Sequence, residues 1–224
     1  MFCCLKGLCL NGVFNTHPPK HVSRESQIKL QKIGHEVVII KGGLRACGSG
    51  GALGSSPLVQ SKSYFEVKIQ QAGKWSVGLA TENCDLNNVR GGQDSESWCL
   101  TSDNIVYHDK KEIHELVEQK PDSQEQQLTV SIPDLADPST TTSTFINQTG
   151  LPQEGDTIGV AYDHVELNFY LNGKNLNVPV LNIKSTVYPV IYVDDGAIVD
   201  LILDNFNFNM PAGFEKIMIE QSLL

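Results

Sequence analysis

A chain of 224 residues with 40% hydrophobic content can bury one sizeable core, and it is short for two large domains. No apolar run approaches the length of a membrane-spanning helix. The formal charge of −9 argues against a nucleic-acid-binding face, although residues 1–32 carry five Lys and Arg against Glu25 alone.

The chain opens MFCCLKGLCLNGVF. Lys6 and Asn11 interrupt the apolar run, and no charged segment precedes it, against a signal peptide. Phe2 stands where myristoylation requires Gly. Two readings of Cys3, Cys4 and Cys9 stay open: S-acylation, giving peripheral membrane association, or an inert cytosolic tail. Residues 1–33 form the expected flexible tail, with Pro18-Pro19 breaking any helix. The remaining cysteines, Cys47, Cys84 and Cys99, show neither disulfide-framework nor zinc-ligand spacing, so no metal and no cofactor is expected. They fit small core or loop positions in a reducing, cytoplasmic setting.

EVVIIK (36–41) is a short β-branched run, expected as a buried strand. The Gly-rich stretch 42–57 lacks the spacing of a phosphate loop, and is expected to be a flexible connection crossing the fold. SYFEVKIQ and KWSVGLAT alternate with period two about the turn Gln71-Ala72-Gly73. Gly78, inside the second, suggests close approach of another backbone. SESWCLTSDNIVYHDK adds two strands. Residues 111–151 are polar, acidic and rich in Ser, Thr and Pro, and are expected to be a disordered insertion. EGDTIGVAYDHVELNFYLNGK then alternates again, with Asn172-Gly173 as a tight hairpin turn. VYPVIYV and IVDLIL follow, and residues 221–224 form a short tail. These strands give an all-β, two-sheet antiparallel sandwich over 34–220. Its expected core includes Val38, Phe65, Val67, Val77, Ile158, Val160, Leu167, Phe169, Leu171 and Val190.

YFEV with WSVGLA, the ESW segment, GDTIGVAYD with LNFYLNGK, and YPVIYV resemble, in that order, the SPRY domain family. Cys99 and Asn104 stand where related domains often carry Gly. The resemblance implies a β-sandwich that binds proteins, without catalysis, through loops gathered on one side. Matched motif by motif, those loops are 45–57, 83–92 and 194–197, and Arg45, Asn88, Arg90, Asp194 and Asp195 are the expected partner contacts. Two carboxylates at a rim would favour Lys or Arg in the partner protein, or backbone N–H groups presented by one of its loops. The resemblance also leaves open an adaptor for ubiquitin ligation working through a separate bridging chain. A carbohydrate-binding sandwich is the weaker alternative, because Trp75 and Trp98 read as core rather than as stacking platforms. For catalysis, Cys99 and His108 fall on neighbouring strands but lack an orienting third group, so a monomeric, non-enzymatic module is expected.

Overall fold

The computed structural model describes residues 28–116 and 150–218. Cys3, Cys4, Cys9 and positions 117–149 of the expected insertion lie outside the described residues. The strands are β1 (Leu30–Ile33), β2 (Glu36–Ile40), β3 (Arg45–Gly54), β4 (Ser63–Gln71), β5 (Lys74–Ala80), β6 (Ser97–Thr101), β7 (Ile105–His108) and β8 (Lys111–Glu115), then β9 (Thr157–Tyr162), β10 (Glu166–Leu171), β11 (Lys174–Asn175), β12 (Val180–Leu181), β13 (Tyr188–Asp194), β14 (Ile198–Ile202) and β15 (Glu215–Lys216). A three-residue 3-10 turn, Lys41–Gly43, joins β2 to β3. Among the described residues no helix is long and apolar enough to cross a membrane.

The Gly-rich stretch does cross the sandwich, but as strand β3 rather than as a flexible connection. Its first half pairs with β2 (Ile40↔Arg45, Glu36↔Ser49) and β14 (Asp200↔Arg45). Its second half pairs with β1 (Ile33↔Ala52) and β13 (Gly50↔Val193, Leu53↔Val190). The bend falls at Gly48 and Gly50, whose φ angles of 96° and 121° favour glycine. A Cβ on Gly48 would also lie 2.2 Å from the Glu36 carbonyl oxygen. The neighbours fold over at the same level, β1 to β2 at Gly34-His35 and β13 to β14 at Asp195-Gly196. One sheet therefore runs β1-β3-β13-β5-β6-β7-β8, and the facing one runs β2-β3-β14-β4-β9-β10, with β11 and β12 on β10 and β15 on β4. Dense glycine here serves a bend and close contact, not looseness.

The hairpin read from Asn172-Gly173 is present, with both residues at positive φ between β10 and β11. Phe65, Val67, Val77, Ile158, Val160, Leu167 and Phe169 are buried between the sheets, and Leu171 is partly buried against them. Val190 is buried in a second cluster with Leu53, Cys84, Leu86, Cys99 and Tyr192. Val38 is the exception, 53% exposed. As an edge strand, β2 has a solvent face, so EVVIIK buries Val37 and turns Val38 outward. The N-terminal boundary also moves. Ile28 and Leu30 are buried and β1 pairs with β3, so residues expected in the tail belong to the sandwich. Lys111–Glu115, expected within the disordered insertion, is edge strand β8, paired with β7. Its charged alternation is what an edge strand shows to solvent.

A buried carboxylate ties the first half of β3 to its neighbours. Asp200 on β14, 2% exposed, accepts hydrogen bonds from Arg45 Nη2 at 2.8 Å, Lys41 Nζ at 2.8 Å and Gln70 Nε2 at 3.1 Å. Burial alone would raise the Asp200 carboxyl, but hydrogen bonds and charge from Arg45 and Lys41 outweigh it and hold it below the usual carboxylate range. A carboxyl lowered on folding contributes stability that is present above its unfolded value and lost as pH falls through the folded one. Asp200→Asn should therefore cost about 1.5–3 kcal/mol at neutral pH, and the gap to the parent should close in acid below about pH 4. Urea melts across that range check it, and a constant gap would rule out the ionised carboxylate as the cause. Phe169→Ala, at a fully buried site, should cost about 3–5 kcal/mol in the same melts. Gly78→Ala should unseat β5 from β6, because its Cβ would fall 2.0 Å from the Trp98 carbonyl oxygen. Loss of amide protection along β6 in hydrogen exchange would report it.

Candidate partner-binding cleft

At the bend end of β3 a cleft of about 340 Å³ opens between the start of β5, the turn after β6 and the loop before β6. Lys74, Trp75 and Ser76 form one wall, Asn88, Val89, Arg90 and Gln93 a second, and Ser102 and Asp103 a third. The loop is held in place by its own polar groups. Gly91 N–H donates to Ser76 Oγ at 3.2 Å, and Gly92 N–H to Ser97 Oγ at 2.9 Å. Asp94 accepts from the Ser97 hydroxyl at 2.6 Å and from Asp85 N–H at 2.8 Å. Asn87 Oδ1 accepts from His35 N–H at 3.0 Å, which fastens the loop to the β1–β2 turn. An Asn- and Gly-bearing loop thus becomes a fixed wall, because its buried donors and acceptors are paired locally.

Arg90 sets one side of the cleft. Its guanidinium lies 4.4 Å over the Tyr107 ring and donates to Asp103 Oδ2 at 2.8 Å. Burial pushes the Tyr107 hydroxyl up, as does its hydrogen bond to Glu112, while the charge of Arg90 pulls the other way. Gln93 Nε2 is buried in this wall with no hydrogen-bond acceptor among the described residues. Val89 is 49% exposed at the mouth.

Asp194 and Asp195 lie on the rim. Asp194 is the register partner of Lys74 and accepts from Ser49 Oγ at 2.9 Å. Asp195, at φ 49° in the tight turn, places Oδ2 3.9 Å from Lys74 Nζ, with both side chains exposed. Asn88 and Arg90 thus line one cleft, and Asp195 reaches it through Lys74. Arg45 does not join them. It sits on β3 away from the bend and is engaged by Asp200. The sequence reading missed Lys74, Gln93, Ser102 and Asp103. Their signal was available, since the Ser102-Asp103-Asn104 turn must fall beside the start of β5 once β5 and β6 pair antiparallel.

Cys99 and His108 do not meet. Cys99 opposes Tyr107 and is fully buried beside Cys84 and Tyr192, and burial holds its thiol well above the ordinary value. The Cys84 thiol is likewise pushed up to about 11, mainly by burial. Neither is a ready thiolate. His108 stacks on Trp98 at 4.6 Å, with Nδ1 3.0 Å from the Ser97 carbonyl oxygen. Trp75 and Trp98 are both largely buried, as their strand positions implied. Among the described residues no cluster of His, Cys, Asp and Glu could hold a metal ion.

The SPRY domain model matches residues 62–206. The chain is 41% identical over 223 residues to SPRY domain-containing protein 7 of Homo sapiens, covering 100% of this chain and 97% of that protein. The Bos taurus protein of the same name gives the same identity and coverage. Among solved structures, that of stonustoxin superposes with a TM-score of 0.51 at 14% identity, covering 79% of this chain and 27% of that one, a likeness in fold. SPRY domains are commonly protein–protein interaction modules, and their family is generally non-enzymatic. The matched region, the full-length relatives and the shared sandwich agree: this chain belongs to the SPRY domain family.

Proposed function

We propose that the chain is a non-catalytic, cytoplasmic binding module that holds an extended peptide or loop of a partner protein in the cleft between Lys74, Asn88, Arg90 and Gln93. The unpaired cysteines Cys47, Cys84 and Cys99 accord with a reducing compartment. The observation that carries the reading is the imbalance of donors in a locally braced cleft. Lys74 and Arg90 bring cationic donors to facing walls, and Gln93 Nε2, buried behind them, has no acceptor among the described residues. Asp194, Asp195 and Asp103 already accept from or face Ser49, Lys74 and Arg90. A partner segment offering acceptors, either backbone carbonyls or a carboxylate beside a small apolar side chain against Val89, suits these walls. This shifts the expected preference away from Lys or Arg, because the rim carboxylates have local cationic or hydroxyl partners that the sequence did not show.

A displayed library of random peptides tests the reading. Peptides selected on the parent should be rich in Asp and Glu, and Lys74→Glu should weaken them about tenfold through lost charge complementarity. Asn88→Ala should weaken them less. The double variant Asp194→Asn, Asp195→Asn should leave folding within about 0.5 kcal/mol of the parent and should not weaken these peptides. Selection of Lys- and Arg-rich peptides that the double variant loses would place recognition on the rim carboxylates instead. Peptides indifferent to every one of these changes would put the site elsewhere on the sandwich.

A further inference from the structure

Charge along this chain is divided by position. Residues 28–45 hold Lys29, Lys32, Lys41 and Arg45 against Glu36 alone, whereas residues 46–224 hold ten Lys and Arg against 24 Asp and Glu. The fold gathers much of the basic group at the end of the sandwich away from the cleft. Because β3 folds over at Gly48 and Gly50, its two termini return to the same end, and the segments paired with them face one another there. Lys29, next to β1, packs over Gly43 so closely that a Cβ on Gly43 would come within 2.7 Å of the Lys29 Cβ. Lys41 and Arg45 flank this contact, with Asp200 taking up one of their two charges.

The strand leading to this end shows apolar surface. Val38 and Ile40 on β2 are 53% and 47% exposed, on the outer face that they share with their register partners Cys47 and Arg45. Among the described residues β2 pairs on one side only, with β3. The chain's first 27 residues, which include Cys3, Cys4 and Cys9, join the sandwich at Ile28, immediately before Lys29 and hence beside this face.

We propose that this face, Val38 and Ile40 with Lys29, Lys41 and Arg45, docks on the surface of an anionic lipid bilayer. Branched aliphatic side chains with cationic ones at the Ile40 end, and exposed Glu36 at the other end of the strand, suit the boundary between headgroups and acyl chains, where burial and charge act together. A second copy of the chain is the other occupant of an exposed strand edge. Setting the Lys29, Lys41 and Arg45 ends of two copies together would oppose like charges, whereas an anionic bilayer complements them. Docking here is weak alone, and it gains from the position of the tail, since an acyl chain on Cys3, Cys4 or Cys9 would draw this end of the sandwich toward the lipid. The proposal is independent of the cleft, which lies at the bend end of β3.

The test is co-sedimentation of the full, unacylated chain with phosphatidylcholine vesicles, either pure or containing about one-third phosphatidylserine. The parent should bind the anionic vesicles, release them as salt rises and bind pure phosphatidylcholine at least about tenfold less. Val38→Asp with Ile40→Asp should reduce binding to the anionic vesicles about tenfold, with an unchanged circular-dichroism spectrum and Tm. Val165→Asp should leave binding unchanged, since Val165 is 70% exposed but sits on the β9–β10 turn, in the part of the sheet remote from β2. If the aspartate pair disturbs folding, Lys29→Glu carries the same test. The proposal is overturned if the parent ignores anionic vesicles, if the β2 variants bind as well as the parent, or if Val165→Asp loses as much as they do. A parent that sediments as a dimer, made monomeric by the β2 variants without any dependence on lipid, would also overturn it and assign the face to a second copy.

Discussion

The fold depends on one strand serving two sheets. β3 pairs with β2 and β14 over its first half and with β1 and β13 over its second. That division is possible because Gly48 and Gly50 occupy positive φ and let the Glu36 carbonyl and the Val37 side chain approach where a Cβ would stand. Gly51 continues the theme, since a Cβ there would meet the Tyr192 ring at 2.6 Å. Once β3 bends, its neighbours must bend at the same level to keep their pairing. The turns at Gly34-His35, Ala72-Gly73 and Asp195-Gly196 then collect at one end of the sandwich. The candidate cleft is built at that end, so its position follows from the bend.

Polar groups complete what the apolar core cannot. Asp200 ties β14 to β3, β4 and the Lys41–Gly43 turn. On the same sheet Glu66 is fully buried and accepts from Asn207 N–H at 2.7 Å, Phe208 N–H at 3.1 Å and the Tyr64 hydroxyl at 3.1 Å. It thereby holds the segment after β14 across the outer face of β4, where Phe206 packs edge-on to Tyr64 at 5.0 Å. Gln60 does the same for the last described residues, donating to Lys216 O at 2.8 Å and accepting from Met218 N–H at 2.8 Å. Each of the three side chains is buried and hydrogen-bonded, the condition under which a polar group specifies a docking geometry rather than opposing it.

The cleft and the β2 face differ in kind. The cleft is a braced concavity with Lys74 and Arg90 on its walls. The β2 face is a strand surface with exposed Val38 and Ile40 beside Lys41 and Arg45. The cleft lies by the turns at the bend of β3, whereas the β2 face follows the first half of β3 toward Arg45.

Period-two alternation in YFEVKI, TIGVAY and LNFYL placed Phe65, Val67, Ile158, Val160, Leu167 and Phe169 on the inner face without any tertiary information, because side-chain direction in a strand follows from local geometry alone. Asn172-Gly173 likewise determined its turn, since the φ values it needs are intrinsic to those residues. The order of motifs was enough to identify the family. Whether a strand is central or at an edge was not legible, since that is a property of the neighbours. EVVIIK therefore read as buried throughout although Val38 faces outward, and KEIHE read as loop although it pairs with β7. The Gly-rich stretch was ambiguous for the same reason, because φ freedom permits both a loose connection and a bent strand. From the sequence, Arg45, Asp194 and Asp195 read as loop residues free to contact a partner. Only the fold decided that Arg45 is spent on buried Asp200, that Asp194 and Asp195 face Ser49 and Lys74, and that Gln93 Nε2 is buried without an acceptor among the described residues, since such placements join residues far apart in sequence that long-range register alone brings together.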